Sequence, residues 1–194
     1  NAPELAITSP ENNTKTNRET VTVTGTVSDE NLDFVKVNGR DVAVNDGQYS
    51  QRVMLENGEN IITVVAQDKA GNSTEASVVV DAKYTAPEIT NLAPTDDVYL
   101  NAGESVKIEL NSDPGLNATY SIRMPLTNTT ADIYNQELYN AMELPLQEVS
   151  PGYYVGYWTA TSSVEANGAE IEVKVQDDYS NVTRQIAEGK LYIN

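Results

Sequence analysis

The sequence predicts an all-β chain organised as two tandem antiparallel β-sandwiches, on three observations. Apolar residues recur at every second position in short runs, Asn, Asp and Gly cluster between the runs, and one hairpin-like segment occurs twice within the 194 residues. A period of two buries one face of a strand and wets the other. Asn, Asp and Gly tolerate the positive φ that tight chain reversals demand.

The first runs are Leu5 and Ile7, then Val21, Val23 and Val27, Val35 and Val37, and Val42 and Val44. Further runs carry Val53 and Leu55, Ile62 and Val64, and Ala76, Val78 and Val80. Asn38-Gly39, Asn45-Asp46-Gly47, Asn57-Gly58 and Ala70-Gly71-Asn72 punctuate them as turns. About seven strands in about 80 residues is the count of an Ig-like sandwich. From Ala82 to Pro87 the chain has the character of a connector, since Pro87 holds an extended segment and donates no hydrogen bond. The boundary is expected near Lys83, giving modules over 1–83 and 84–194.

In the second module strands are expected around Ile89 and Leu92, Val106 to Leu110, Thr119 to Met124, Met142 to Val149, Tyr153 to Ala160, Ile171 to Val175 and Val182 to Ile193. Ile133, Tyr134, Leu138 and Met142 are spaced more like a helical stripe, so a loop or short helix is expected to interrupt the strands near 128–142. The repeat joins Gln67-Asp68-Lys69-Ala70-Gly71-Asn72-Ser73-Thr74 to Gln176-Asp177-Asp178-Tyr179-Ser180-Asn181-Val182-Thr183, with Gln, Asp, Asn and Thr in register. Two copies of one hairpin imply two related Ig-like or fibronectin III-like modules.

Composition narrows function by elimination. The chain has no Cys and no His, which excludes disulfides, thiolate and imidazole metal sites, and Cys-His or Ser-His-Asp catalysis. Lys and Arg number 12 against 29 Asp and Glu, a net charge of −17 that disfavours nucleic acid and anionic membrane surfaces. No apolar run approaches the roughly 20 residues of a membrane span. The chain begins at Asn1 without Met and is expected to be a piece of a longer protein.

Val35-Lys36-Val37-Asn38-Gly39, Gly47-Gln48-Tyr49, Leu55 to Ala66 and Asp68-Lys69-Ala70-Gly71-Asn72 resemble the Ig-like family called glucodextranase-like domain B, over most of residues 4–81. The pair of modules, closing with Gly189-Lys190-Leu191-Tyr192-Ile193-Asn194, resembles the region downstream of the catalytic domain in secreted subtilisin-like serine proteases of the bacillopeptidase F type. No catalytic residue carries over, because His is absent. The resemblance implies a non-catalytic accessory or spacer segment, secreted and Gram-positive in origin. Its implied partners are the neighbouring domains of a parent protein.

Two sites are candidates beside this reading. Tyr153-Tyr154-Val155-Gly156-Tyr157-Trp158 places Tyr154 and Trp158 on one strand face and Tyr153 and Tyr157 on the other. With the first pair inward, Tyr153 and Tyr157 stand outward, where they either pack as ordinary strand residues or stack on cell-wall carbohydrate or a substrate protein. Structural Ca²⁺ is the second possibility, held by Asp68 with Asn72 or by Asp81 with Glu88, with Asp96-Asp97 and Asp177-Asp178 as further donors. The alternative is that Asp at a hairpin start accepts backbone amides and needs no ion. Asn12, Asn72, Asn117, Asn128 and Asn181 open Asn-x-Ser/Thr triplets, which are expected in exposed loops. The chain is expected to be monomeric, with no cofactor beyond such an ion.

Overall fold

A computed structural model of the chain describes residues 1–123 and 142–194, among which there is no helix. The chain divides into two compact units, Asn1–Thr85 and Ala86–Asn194. The loop or short helix expected near 128–142 lies outside the described residues apart from Met142, which is exposed.

The first unit contains β1 (Glu4–Ser9), β2 (Thr14–Thr16), β3 (Thr20–Ser28), β4 (Leu32–Val37), β5 (Arg40–Val42), β6 (Val44–Asn45), β7 (Gln48–Met54), β8 (Gly58–Asp68) and β9 (Ser73–Ala82). One sheet runs β1-β3-β7-β6 and the other β2-β9-β8-β4-β5. The alternation sets which side chains are buried: Ile62, Val64 and Ala66 of β8 meet Val23 and Val27 of β3, Val35 and Val37 of β4 and Val80 of β9 in one core. Full burial of such a side chain contributes about 1.5–3 kcal/mol. The Asn-Gly and Asp-Gly turns have the predicted conformation, with φ of 47° and 81° at Asn38 and Gly39 and 51° and 73° at Asp46 and Gly47.

The second unit contains β10 (Thr90–Ala93), β11 (Val98–Leu100), β12 (Ser105–Asn111), β13 (Asn117–Arg123), β14 (Leu144–Pro145), β15 (Gln147–Ser150), β16 (Tyr153–Thr159), β17 (Ala166–Gln176), β18 (Val182–Ile186) and β19 (Leu191–Ile193). Its sheets run β10-β12-β16-β15 and β11-β19-β17-β13-β14, with β18 also on β17. Ile108, Leu110, Tyr154, Trp158, Ile171, Val173 and Leu191 are among the residues filling the core between them.

Both units close in the same way. The chain enters along one sheet as β1 or β10, passes Pro10 or Pro94, each after a cis peptide bond, and continues in the other sheet as β2 or β11. There it pairs in parallel with the last strand of its unit: Thr14 faces Val80 and Thr16 faces Ala82, while Val98 faces Leu191 and Leu100 faces Ile193. The remaining pairings are antiparallel.

Candidate functional site

On β16 the parity is as the alternation requires. Tyr154 and Trp158 are buried, and Gly156 between them leaves room for the Tyr120 ring, since an added Cβ would sit 3.0 Å from its Cε1 and 2.7 Å from Leu146 Cδ2. The Tyr154 hydroxyl donates to the Asp113 carbonyl at 2.7 Å and accepts from the Leu116 amide at 2.9 Å. Burial first, then the Glu148 carboxylate nearby, pushes its titration up to about 12.

The outward tyrosines differ. Tyr157 is 64% exposed and faces Lys107 of β12. Tyr153 is half-buried, and its hydroxyl donates to Glu109 Oε2, which also meets Lys107 Nζ at 2.9 Å. The Tyr153 hydroxyl, then Lys107, holds the Glu109 carboxyl below the usual range. The structure therefore puts both rings on one sheet face, but Tyr153 is engaged by its neighbours and Tyr157 alone stands open.

The acidic candidates separate in a similar way. Asp68 Oδ1 accepts from the amides of Ala70 and Asn72, each at 2.9 Å, and Oδ2 accepts from the Asn72 side chain at 2.9 Å. The Asn72 side chain, aided by these amides, lowers the Asp68 pKa. Asp177 repeats the arrangement in the second unit, taking the amides of Tyr179 and Asn181 on Oδ1 and the Asn181 side chain on Oδ2, all at 2.9 Å. Asn181 is consequently buried, contrary to the exposed-loop expectation for its triplet. Asp81 lies in β9 with Lys15 and Glu59 as cross-strand neighbours. Glu88 is exposed in the second unit, its carbonyl accepting from Ser112 Oγ at 2.7 Å. Among the described residues no three His, Cys, Asp or Glu side chains converge as a metal site.

A further aromatic contact escaped sequence reasoning. Tyr99 of β11 and Tyr192 of β19 are cross-strand partners whose rings stack with centroids 4.9 Å apart at an interplanar angle of 17°. Val98-Tyr99-Leu100 and Leu191-Tyr192-Ile193 each read apolar-Tyr-apolar, a signal for two outward tyrosines. Their pairing depends on strands far apart in sequence.

Two Ig-like modules, each with its own buried apolar core, define the class of protein. Residues 3–84 match the family model described as glucodextranase, domain B. Over 192 residues the chain is 54% identical to Bacillopeptidase F of Bacillus subtilis (strain 168), a match that covers 99% of this chain and 13% of that protein. The fibronectin(III)-like modules of Clostridium thermocellum CbhA share the fold, with a TM-score of 0.54 at 17% identity over 98% of this chain and 94% of theirs.

Proposed function

We propose that the chain is a non-catalytic accessory and spacer segment of a secreted bacterial peptidase, acting beside neighbouring domains of a longer polypeptide. The observation that carries this reading is the parallel closure repeated in both units. In the first, Thr74 Oγ1 donates to the Pro3 carbonyl at 2.6 Å, fixing the entering chain at the start of β9. The chain leaves past Ala82, where the Lys83 amide donates to the Thr16 carbonyl at 3.0 Å. Entry and exit thus stand at opposite ends of a ten-residue strand, about 33 Å long. Thr183 Oγ1 and the Pro87 carbonyl repeat the first contact in the second unit. A pull on the two ends of such a module loads the parallel ladder in shear, so its bonds must fail together rather than one at a time.

Similarity to a peptidase over 13% of its length supports the accessory role, as does a chain without His or Cys. The net charge of −17 keeps such a segment soluble and away from other anionic surfaces. Deleting the segment from the full-length peptidase is the test. The expected result is an unchanged kcat/KM on a short chromogenic peptide, with any loss confined to large or surface-attached protein substrates. A fall on the short peptide would overturn the reading.

A further inference from the structure

We propose that the Tyr99–Tyr192 stack is a binding platform for neutral carbohydrate. This goes beyond a spacer role and uses a surface different from that of Tyr153 and Tyr157. Tyr99, Tyr192 and Asn167 are successive cross-strand partners on β11, β19 and β17, so they form a row across the outer face of the sheet. Leu100 and Ile193, next in sequence, are buried on the other face.

The row is built rather than incidental. A register shift between Asn167 and Ala169 brings Gly168 beneath Tyr192, where an added Cβ would lie 3.7 Å from the hydroxyl oxygen. One face of the Tyr192 ring is taken by Tyr99. Tyr99 stands on the edge strand and is 72% exposed, which leaves its outer face to solvent. A groove of about 800 Å³ beside the pair is lined by Asn101, Asn167 and Glu165 as well as both rings.

This chemistry selects a ligand class. A flat electron-rich ring face accepts the C–H face of a pyranose, and its hydroxyl rim matches amide and phenol groups that both donate and accept. Asn101 donates its backbone amide and its side-chain Nδ2 to Glu104 Oε2, at 2.7 and 3.3 Å, which leaves its side-chain carbonyl as an acceptor. Glu165 is the charged side chain in the lining and Lys190 lies beside Gly168 at its margin, so the groove itself is near neutral, while the net charge of −17 disfavours an anionic polysaccharide. A peptide held by an anchoring side chain would want a deep apolar pocket, and one added as a strand would pair with the backbone of β11 without needing the two rings. The open groove offers a ring face and amides instead.

The test is a titration of the 194-residue chain with hexasaccharides derived from chitin, β-1,4-glucan and xylan, following tyrosine ring signals by NMR. Polygalacturonate and a proline-rich peptide serve as comparison ligands. At least one neutral hexasaccharide is expected to shift the Tyr99 and Tyr192 ring signals. Tyr99→Thr, which suits a strand, should weaken that binding by about tenfold or more, whereas Tyr157→Ala on the other sheet should leave it unchanged. Silence of both rings towards all three neutral ligands in the unmutated chain would overturn the proposal. So would a preference for the peptide or polygalacturonate, or equal losses in the two variants.

Discussion

Gly25 of β3 and Tyr49 of β7 face each other across the sheet, and the tyrosine lies over the glycine to deliver its hydroxyl to the Ala6 carbonyl at 2.7 Å. A Cβ on Gly25 would fall 2.1 Å from both the Ala6 oxygen and the Tyr49 hydroxyl. Three strands are therefore tied at one point that tolerates no side chain. Gly25→Ala should destabilise the first unit by about 1–3 kcal/mol through overpacking. Tyr49→Phe, which keeps the ring and removes the donor, should cost about 1 kcal/mol. Urea unfolding followed by circular dichroism measures both, and a Gly25→Ala chain as stable as the parent would refute the geometry.

Ser180 occupies the place in the second hairpin that Gly71 holds in the first, with φ of 67° against 89°. An L side chain in the left-handed region is strained by about 1–2 kcal/mol, part of which glycine returns as chain entropy on unfolding. Ser180→Gly should raise the stability of the second unit by roughly 0.5–1 kcal/mol. The urea midpoint reported by Trp158, which is buried in that unit, is the measurement.

Acidification should weaken the chain. The carboxyls of Asp68, Glu109 and Glu148 are all held below their ordinary values, chiefly by the Asn72 side chain, the Tyr153 hydroxyl and the Tyr154 hydroxyl respectively. A depressed pKa means that the folded state binds fewer protons. The stabilisation is therefore complete above the ordinary carboxylate range near pH ~4 and is lost as pH falls below it. Asp68→Asn should flatten this acid slope. At the other extreme, Tyr154 is raised to about 12, so its contribution is complete below the ordinary tyrosine pKa and is lost as pH rises from there through the raised value.

Calcium should leave the hairpin at Asp68 unchanged, because both carboxylate oxygens already accept protein donors. The melting temperature is expected to be the same in calcium and in chelator. A rise with calcium would require these hydrogen bonds to be exchanged for ion contacts.

Mechanical strength should depend on the parallel ladder. The Val98 amide donates to the Lys190 carbonyl at 2.8 Å, and Val98→Pro deletes that donor. Single-molecule pulling should then show a lower unfolding force for the second unit, and an unchanged force would discard shear loading as the source of resistance.

Much of the fold is legible in the sequence because alternation is local. Ile62, Val64 and Ala66 announce a buried face from five consecutive residues, and Asn38-Gly39 announces its turn from two. What could not be read there depends on partners distant in the chain. Tyr153 and Tyr157 have the same parity, and it is Glu109, on another strand, that engages one and leaves the other open. Asp68 and Asn72 have the composition of a metal site or of a turn clasp, and composition does not tell that the amides of Ala70 and Asn72 point at the Asp68 carboxylate. The stacking of Tyr99 on Tyr192 follows from the second and last strands of a unit lying side by side, a long-range pairing with no mark in either triplet.

That closure bears on how a module meets digestion from its ends. Digestion usually begins where a domain frays, at its loose beginning and end. Here the Pro3–Thr74 and Pro87–Thr183 contacts fasten one end of each module, and the ladders of β2 with β9 and β11 with β19 hold the other. Trimming from either side must first peel a strand out of a sheet, so the ends of each module are guarded by the same hydrogen bonds that close it.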